Sequence, residues 1–177
     1  GIGTRRHWRC DLDTRNAKGN PISLALQVIA VENEEDELTH FVMIVSDRTA
    51  IRQAEQELHY LAQYDGLTSL PNRLLATDRL NRAIERSEPN GTMVACLFLD
   101  IDDFKTINDT LGHAAGDQVI LIAATRIKGI TERTDTISRL GGDEFLIIRE
   151  NIPNETAAAN LAQKIIQELQ RPFYISG

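Results

Sequence analysis

Residues 139–148 read RLGGDEFLII, an apolar run broken in its middle by two glycines and two acids. An unbroken buried strand does not carry this composition, because glycine weakens a strand interior and a carboxylate in a sheet core loses its hydration. The Gly141-Gly142 pair instead supplies the positive φ angles that a tight hairpin turn needs, so LGGDE is where one strand reverses into the next. Asp143 and Glu144 then stand at a strand end.

A second acidic site follows residues 92–99 (TMVACLFL), a nearly continuous apolar strand of the kind buried on both faces. It delivers Asp100, with Asp102 and Asp103 close behind. Acids after an apolar strand sit at its mouth, where a sheet offers its site. If this central strand neighbours the hairpin, Asp100, Asp143 and Glu144 converge, and like charges that close are costly unless a cation binds. Magnesium is commonly held by one or two carboxylates plus substrate phosphates, so one reading is a metal-dependent phosphoryl site. The other is a common glycine turn with solvated strand-end caps; spacing alone does not separate them. The net charge of −7 argues against nucleic-acid binding, so a polyanionic substrate needs a metal between itself and the acids.

The rest of the 177-residue chain falls into zones. Residues 7–16, 22–31 and 38–46 read as strands separated by AKGNP and ENEEDE. Three antiparallel strands alone bury too little for a convincing domain. Residues 49–64 switch to a helical pattern in which Ile51, Ala54, Leu58 and Leu61 form a seam spaced 3, 4, 3. That seam suits a linker helix on its own domain, or a short coiled coil between two copies. After Asp65, helices are expected over 72–87, 117–130 and 154–170, with SEPNG ending the first and Asn154 capping the last. Phe173 to Ile175 is expected to begin another strand. Alternating helices and strands imply an α/β sheet layered with helices. Cys10 and Cys96 are too few and too far apart for a disulfide framework, and packing is their expected role. No visible signal peptide and no bilayer-length apolar run make the cytoplasm the expected compartment, with no direct membrane contact from this segment. A membrane tether upstream in a longer parent chain is compatible with this.

Three stretches together carry a resemblance: DGLTSLPNR at 65–73, LDIDDFKTINDTLGHAAGD at 99–117 and RLGGDEF at 139–145. In this order they resemble the GGDEF family of diguanylate cyclases. The resemblance implies a palm-like, nucleotide-cyclase-like α/β sheet flanked by helices, and condensation of two GTP into cyclic di-GMP with release of pyrophosphate. It implies that Asp100, the Ile101 carbonyl and Asp143 hold Mg²⁺, with Mn²⁺ as an alternative. Glu144 would assist at the metal and in activating the 3′-hydroxyl, and Lys105 would steady phosphate charge. Asn108, His113 and Asp117 would contact GTP, with the Asn108 amide and the Asp117 carboxylate matching guanine's edge. Plainer roles stay open: His113 as a loop cap, Lys105 as a solvated lysine, Asp102, Asp103 and Asp109 as caps and surface acids. Asp65 and Asn72 are expected to organise a helix entry.

Residues 8–48, ending VMIVSDRT, resemble the last strands of a PAS sensor domain followed by its signalling helix. The implied organisation is a partial PAS-like segment over 1–48, a signalling helix over 49–64 and a cyclase domain over 65–177. By the same resemblance the family continues past FYISG, so the C-terminal part of the domain is missing. RPFYISG is also similar to cyclase domains followed by an EAL phosphodiesterase domain. One departure stands out. The family's product-inhibition motif RxxD is here ERTD, 132–135, with Glu132 in the arginine's place. Weak or absent feedback is expected. The catalytic reading requires a homodimer in which two half sites face each other. Its rivals are a non-catalytic GTP-binding regulatory module and a dimerisation scaffold.

Overall fold

The computed structural model describes residues 7–35 and 37–175. It divides into two compact units between His59 and Tyr60.

The first unit is an antiparallel sheet of β1 (His7–Arg15), β2 (Pro21–Glu32) and β3 (Leu38–Asp47), with β2 in the middle. Both turns are organised by asparagine. The Asn16 carboxamide oxygen accepts from the Lys18 and Asn20 amides at 2.9 and 3.0 Å, and Asn33 does the same for Glu35 and Glu37 at 3.0 and 2.8 Å. Ala30 is the only buried residue of this unit among those described, and Phe41, Met43 and Val45 on β3 are exposed. Helix α1 (Thr49–Gln63) begins where the Asp47 carboxylate accepts from the Thr49 amide and hydroxyl at 2.8 and 2.5 Å. Those two bonds, the hydroxyl's first, hold the Asp47 carboxyl below its usual range. No residue of α1 is buried, so the seam of Ile51, Leu58 and Leu61 lies open.

The second unit contains α2 (Arg73–Asn90), β4 (Met93–Leu99), α3 (Phe104–Leu111), α4 (His113–Ile130), β5 (Thr136–Gly141), β6 (Glu144–Ile152) and α5 (Glu155–Leu169). Its sheet is antiparallel in the order β4-β6-β5. Successive side chains of β6 point to opposite faces. Phe145 and Ile147 pack with Ile120, Ile127 and Ile165 from α4 and α5, whereas Leu146 and Ile148 pack with Ala76 and Ala83 of α2. Helices thus cover both faces of the sheet, as in the palm-like α/β fold.

The strand buried on both faces is β6, not 92–99 as expected. Among the described residues β4 pairs with β6 alone and lies at the edge of the sheet, which leaves Phe98 72% exposed. Cys96, on the same strand, is exposed, although partial burial still pushes its thiol pKa up, Cys10 is half-buried, and both are free thiols. Helix α2 runs on through SEPN to Asn90. Pro89 is tolerated in the last turn, and Gly91, left-handed at φ 62°, closes the helix with its N–H on the Glu88 and Ser87 carbonyls. Residues 173–175 form no strand. The Arg126 guanidinium, 4.2 Å from the Phe173 ring, takes the carbonyls of Glu168, Arg171 and Pro172 at 3.2, 2.7 and 2.6 Å, holding this segment against α4.

Candidate active site

The site is built where β4 ends beside the β5–β6 turn. Leu99 pairs with Phe145, so the next residues outward are Asp100 and Glu144, with Asp143 in the turn. Gly141 and Gly142 have φ of 143° and 55°, the positive values the hairpin demands. The electrostatic consequence appears at Asp100. Its carboxyl is pushed above its ordinary value by Asp143 first, then by slight desolvation, then by Glu144 and Asp102.

Two arginines that the sequence reasoning passed over fix this turn. Arg139 donates to the Gly142 carbonyl from Nε at 2.9 Å and Nη2 at 2.7 Å, while its Nη1 grips both Asp65 carboxylate oxygens at 3.0 and 3.1 Å. Burial pushes the Asp65 carboxyl up, but hydrogen bonds from Thr68 and the charge of Arg139 outweigh it and hold the group below its usual range. Asp65 therefore ties DGLT to the GGDEF turn, beyond organising a helix entry. Arg73 Nη2 meets Glu144 Oε2 at 3.1 Å across an exposed surface. The signal for both was present as the arginines of RLGGDEF and DGLTSLPNR, each within its own motif. Asn72 is the expected cap, accepting from the Leu75 amide at 3.1 Å.

After Asp100 the chain turns sharply. Asp103 takes the left-handed φ of 58°, which aspartate tolerates better than most residues, and occupies the N-cap of α3 without a side-chain cap bond. The Ile101 carbonyl accepts from the Phe104 amide at 3.2 Å, which leaves it a second lone pair. Lys105 is exposed on α3 and Asn108 is half-buried there. Gly112, at φ 85°, reverses the chain into α4, whose exposed His113 and Asp117 lie one turn apart on the same face.

Among the described residues, no three His, Cys, Asp or Glu side chains are placed to hold an ion. Asp100 and Asp143 are close enough to act on each other electrostatically, and carboxylates are the ligands magnesium takes together with substrate phosphates and water. A cleft of about 600 Å³ lies beside it, lined mainly by aliphatic residues such as Leu97, Leu99, Ile107 and Ile165. Of the candidate site residues, Asp100 and Ile101 alone line it.

The ERTD stretch is occupied internally. The Asp135 side chain is 1% exposed and takes Arg149 on both oxygens, at 2.8 and 2.5 Å. Glu132, where an arginine would stand, lies 3.4 Å from the same guanidinium.

The model of the family described as "Diguanylate cyclase, GGDEF domain" matches residues 62–177. The chain belongs to the GGDEF family. Among curated relatives, the signaling protein YkoW of Bacillus subtilis is 40% identical over 166 residues, 93% of this chain and 20% of YkoW. The bifunctional diguanylate cyclase/cyclic di-GMP phosphodiesterase MucR of Pseudomonas aeruginosa is 43% identical over 129 residues, 72% of this chain and 18% of MucR. The chain thus spans about a fifth of the length of these curated relatives. The solved GGDEF domain of TpbB from Pseudomonas aeruginosa superposes with a TM-score of 0.63 at 43% identity, over 64% of this chain and 66% of that one.

Proposed function

We propose that the GGDEF domain of this chain is an active diguanylate cyclase that joins two GTP into cyclic di-GMP and releases pyrophosphate. The observation that carries this reading is the register of β4 on β6, which brings Asp100 beside the Asp143 turn in a chain of this family. Asp100, Asp143 and the Ile101 carbonyl would hold Mg²⁺, or Mn²⁺ in its place. Bound there, the ion supplies Lewis-acid polarisation of the α-phosphate and lowers the pKa of the attacking hydroxyl.

The protein's own residues do the rest. Asn108 and Asp117 match the donors and acceptors of guanine's edge, which an adenine would leave unpaired. His113 contacts the nucleotide from the start of α4, and Lys105 steadies phosphate charge. Glu144 accepts the 3′-hydroxyl proton. Its exposed pairing with Arg73 is weak enough to yield to substrate, since such surface pairs are worth about 0–1 kcal/mol. The bifunctional cyclase/phosphodiesterase relative MucR supports a second reading, a GTP-binding module that regulates a neighbouring domain, such as an EAL phosphodiesterase in a longer parent.

Each half site holds one GTP, so catalysis needs a homodimer. The open seam of α1 supports pairing of two copies, with 49–64 as the signalling helix, 1–48 as a PAS-like segment and 65–177 as the cyclase domain. No helix of the described residues is long and apolar enough to cross a membrane, and a GTP-consuming site belongs in the cytoplasm. Incubation with GTP and Mg²⁺ followed by chromatography tests the proposal: cyclic di-GMP is expected from the wild type and none from Asp143→Ala. Bound but unconsumed GTP would favour the regulatory module.

A further inference from the structure

Gly116 is buried in the first turns of α4, and among the described glycines it is the only one whose missing Cβ would meet another atom within 4 Å. A Cβ built there lies 2.0 Å from Asn108 Oδ1, 3.0 Å from Asn108 Cγ and 3.2 Å from the Phe104 ring. Gly129, further along the same helix, has nothing within 4 Å. A glycine inside a helix is unfavourable relative to alanine, so this position gives up helix propensity for the space it leaves. That space is filled by the end of the Asn108 side chain.

We infer that Gly116 is a positioning residue for guanine selection: the side chain it lacks is the room in which the Asn108 amide is held. This rests on the proposed role of Asn108 at guanine's edge. The closest contact is the far end of a short side chain, which escapes by rotating about its two torsions, while α3 and α4 keep their backbones. The burden of a methyl group therefore falls first on where the amide points, and the Phe104 ring has only to give by a few tenths of an ångström. A misdirected amide forfeits its bond to guanine, and a site built to make that bond loses its preference over adenine.

The test is a double-mutant cycle on the full chain with Gly116→Ala, Asn108→Ala and both together, titrated with GTP and with ATP in Mg²⁺ and melted in parallel. Gly116→Ala is expected to weaken GTP binding about tenfold, the worth of a hydrogen bond, while leaving ATP binding unchanged. It should melt no lower than the wild type, and the double variant should bind GTP no more weakly than Asn108→Ala alone. Retained GTP preference in Gly116→Ala, or losses that simply add, would overturn the inference. A lowered melting temperature that Asn108→Ala does not restore would also overturn it, by making the glycine a requirement of packing. A wild type that binds GTP no better than ATP would instead overturn the guanine reading of Asn108 itself.

Discussion

Asp100 holds its proton more tightly in the folded chain than in the unfolded one because Asp143 faces it. For an acid whose pKa is raised by folding, the penalty is absent well below the ordinary value of 3.8. It grows as pH rises above that value and is complete at neutrality. Asp100→Asn should therefore raise the melting temperature of the metal-free protein at pH 7 and lose that advantage in acid, while abolishing turnover. Thermal melts at both pH values check this, and a lower melting temperature at pH 7 would contradict it. Asp65 has the opposite sign. Its stabilising pair with Arg139 is present above its ordinary value of 3.8 and is lost as pH falls through its depressed folded value. Because this pair is largely buried, Arg139→Ala should cost about 2–3 kcal/mol in denaturant unfolding and lower activity further by loosening the Gly142 carbonyl.

At the scale of elements, the strands and helices with a clear period were legible. Asn154, for example, caps α5 by accepting from the Ala157 amide at 3.0 Å. Helix α3 was not, because FKTINDTL is short and its acids drew the reading toward a strand end. The edge position of β4 was hidden for a different reason: an apolar run states how much surface can be buried, not how many neighbours bury it. At the site, Asp100, Asp143 and Glu144 were legible from their strand-end placement. The Arg139–Asp65 and Arg73–Glu144 pairs were not, since they join residues 74 and 71 positions apart. Helix α1 carries its own prediction. Its seam lacks a partner among the described residues, so Leu58→Asp should lower cyclase activity at dilute protein and recover at high concentration. Activity unchanged at every concentration would remove the seam from the account.

For the whole molecule, the ERTD stretch bears on control. With Glu132 repelling phosphates and Arg149 filling the Asp135 carboxylate, cyclic di-GMP should inhibit turnover weakly or not at all. Asp135→Ala should destabilise the fold by about 2 kcal/mol by leaving Arg149 with Glu132 as its remaining partner, without altering any inhibition curve. Tight inhibition abolished by that variant would contradict the assignment. The central claim is that Asp100 and Asp143 share one divalent ion next to a guanine nucleotide. Mn²⁺ titrated into the chain with GTP present, and followed by its electron paramagnetic signal, tests it most directly. One ion per chain should bind, about tenfold or more weakly in Asp100→Asn and in Asp143→Ala, with the pair of changes well short of additive. Wild-type Mn²⁺ affinity in Asp143→Ala would contradict it.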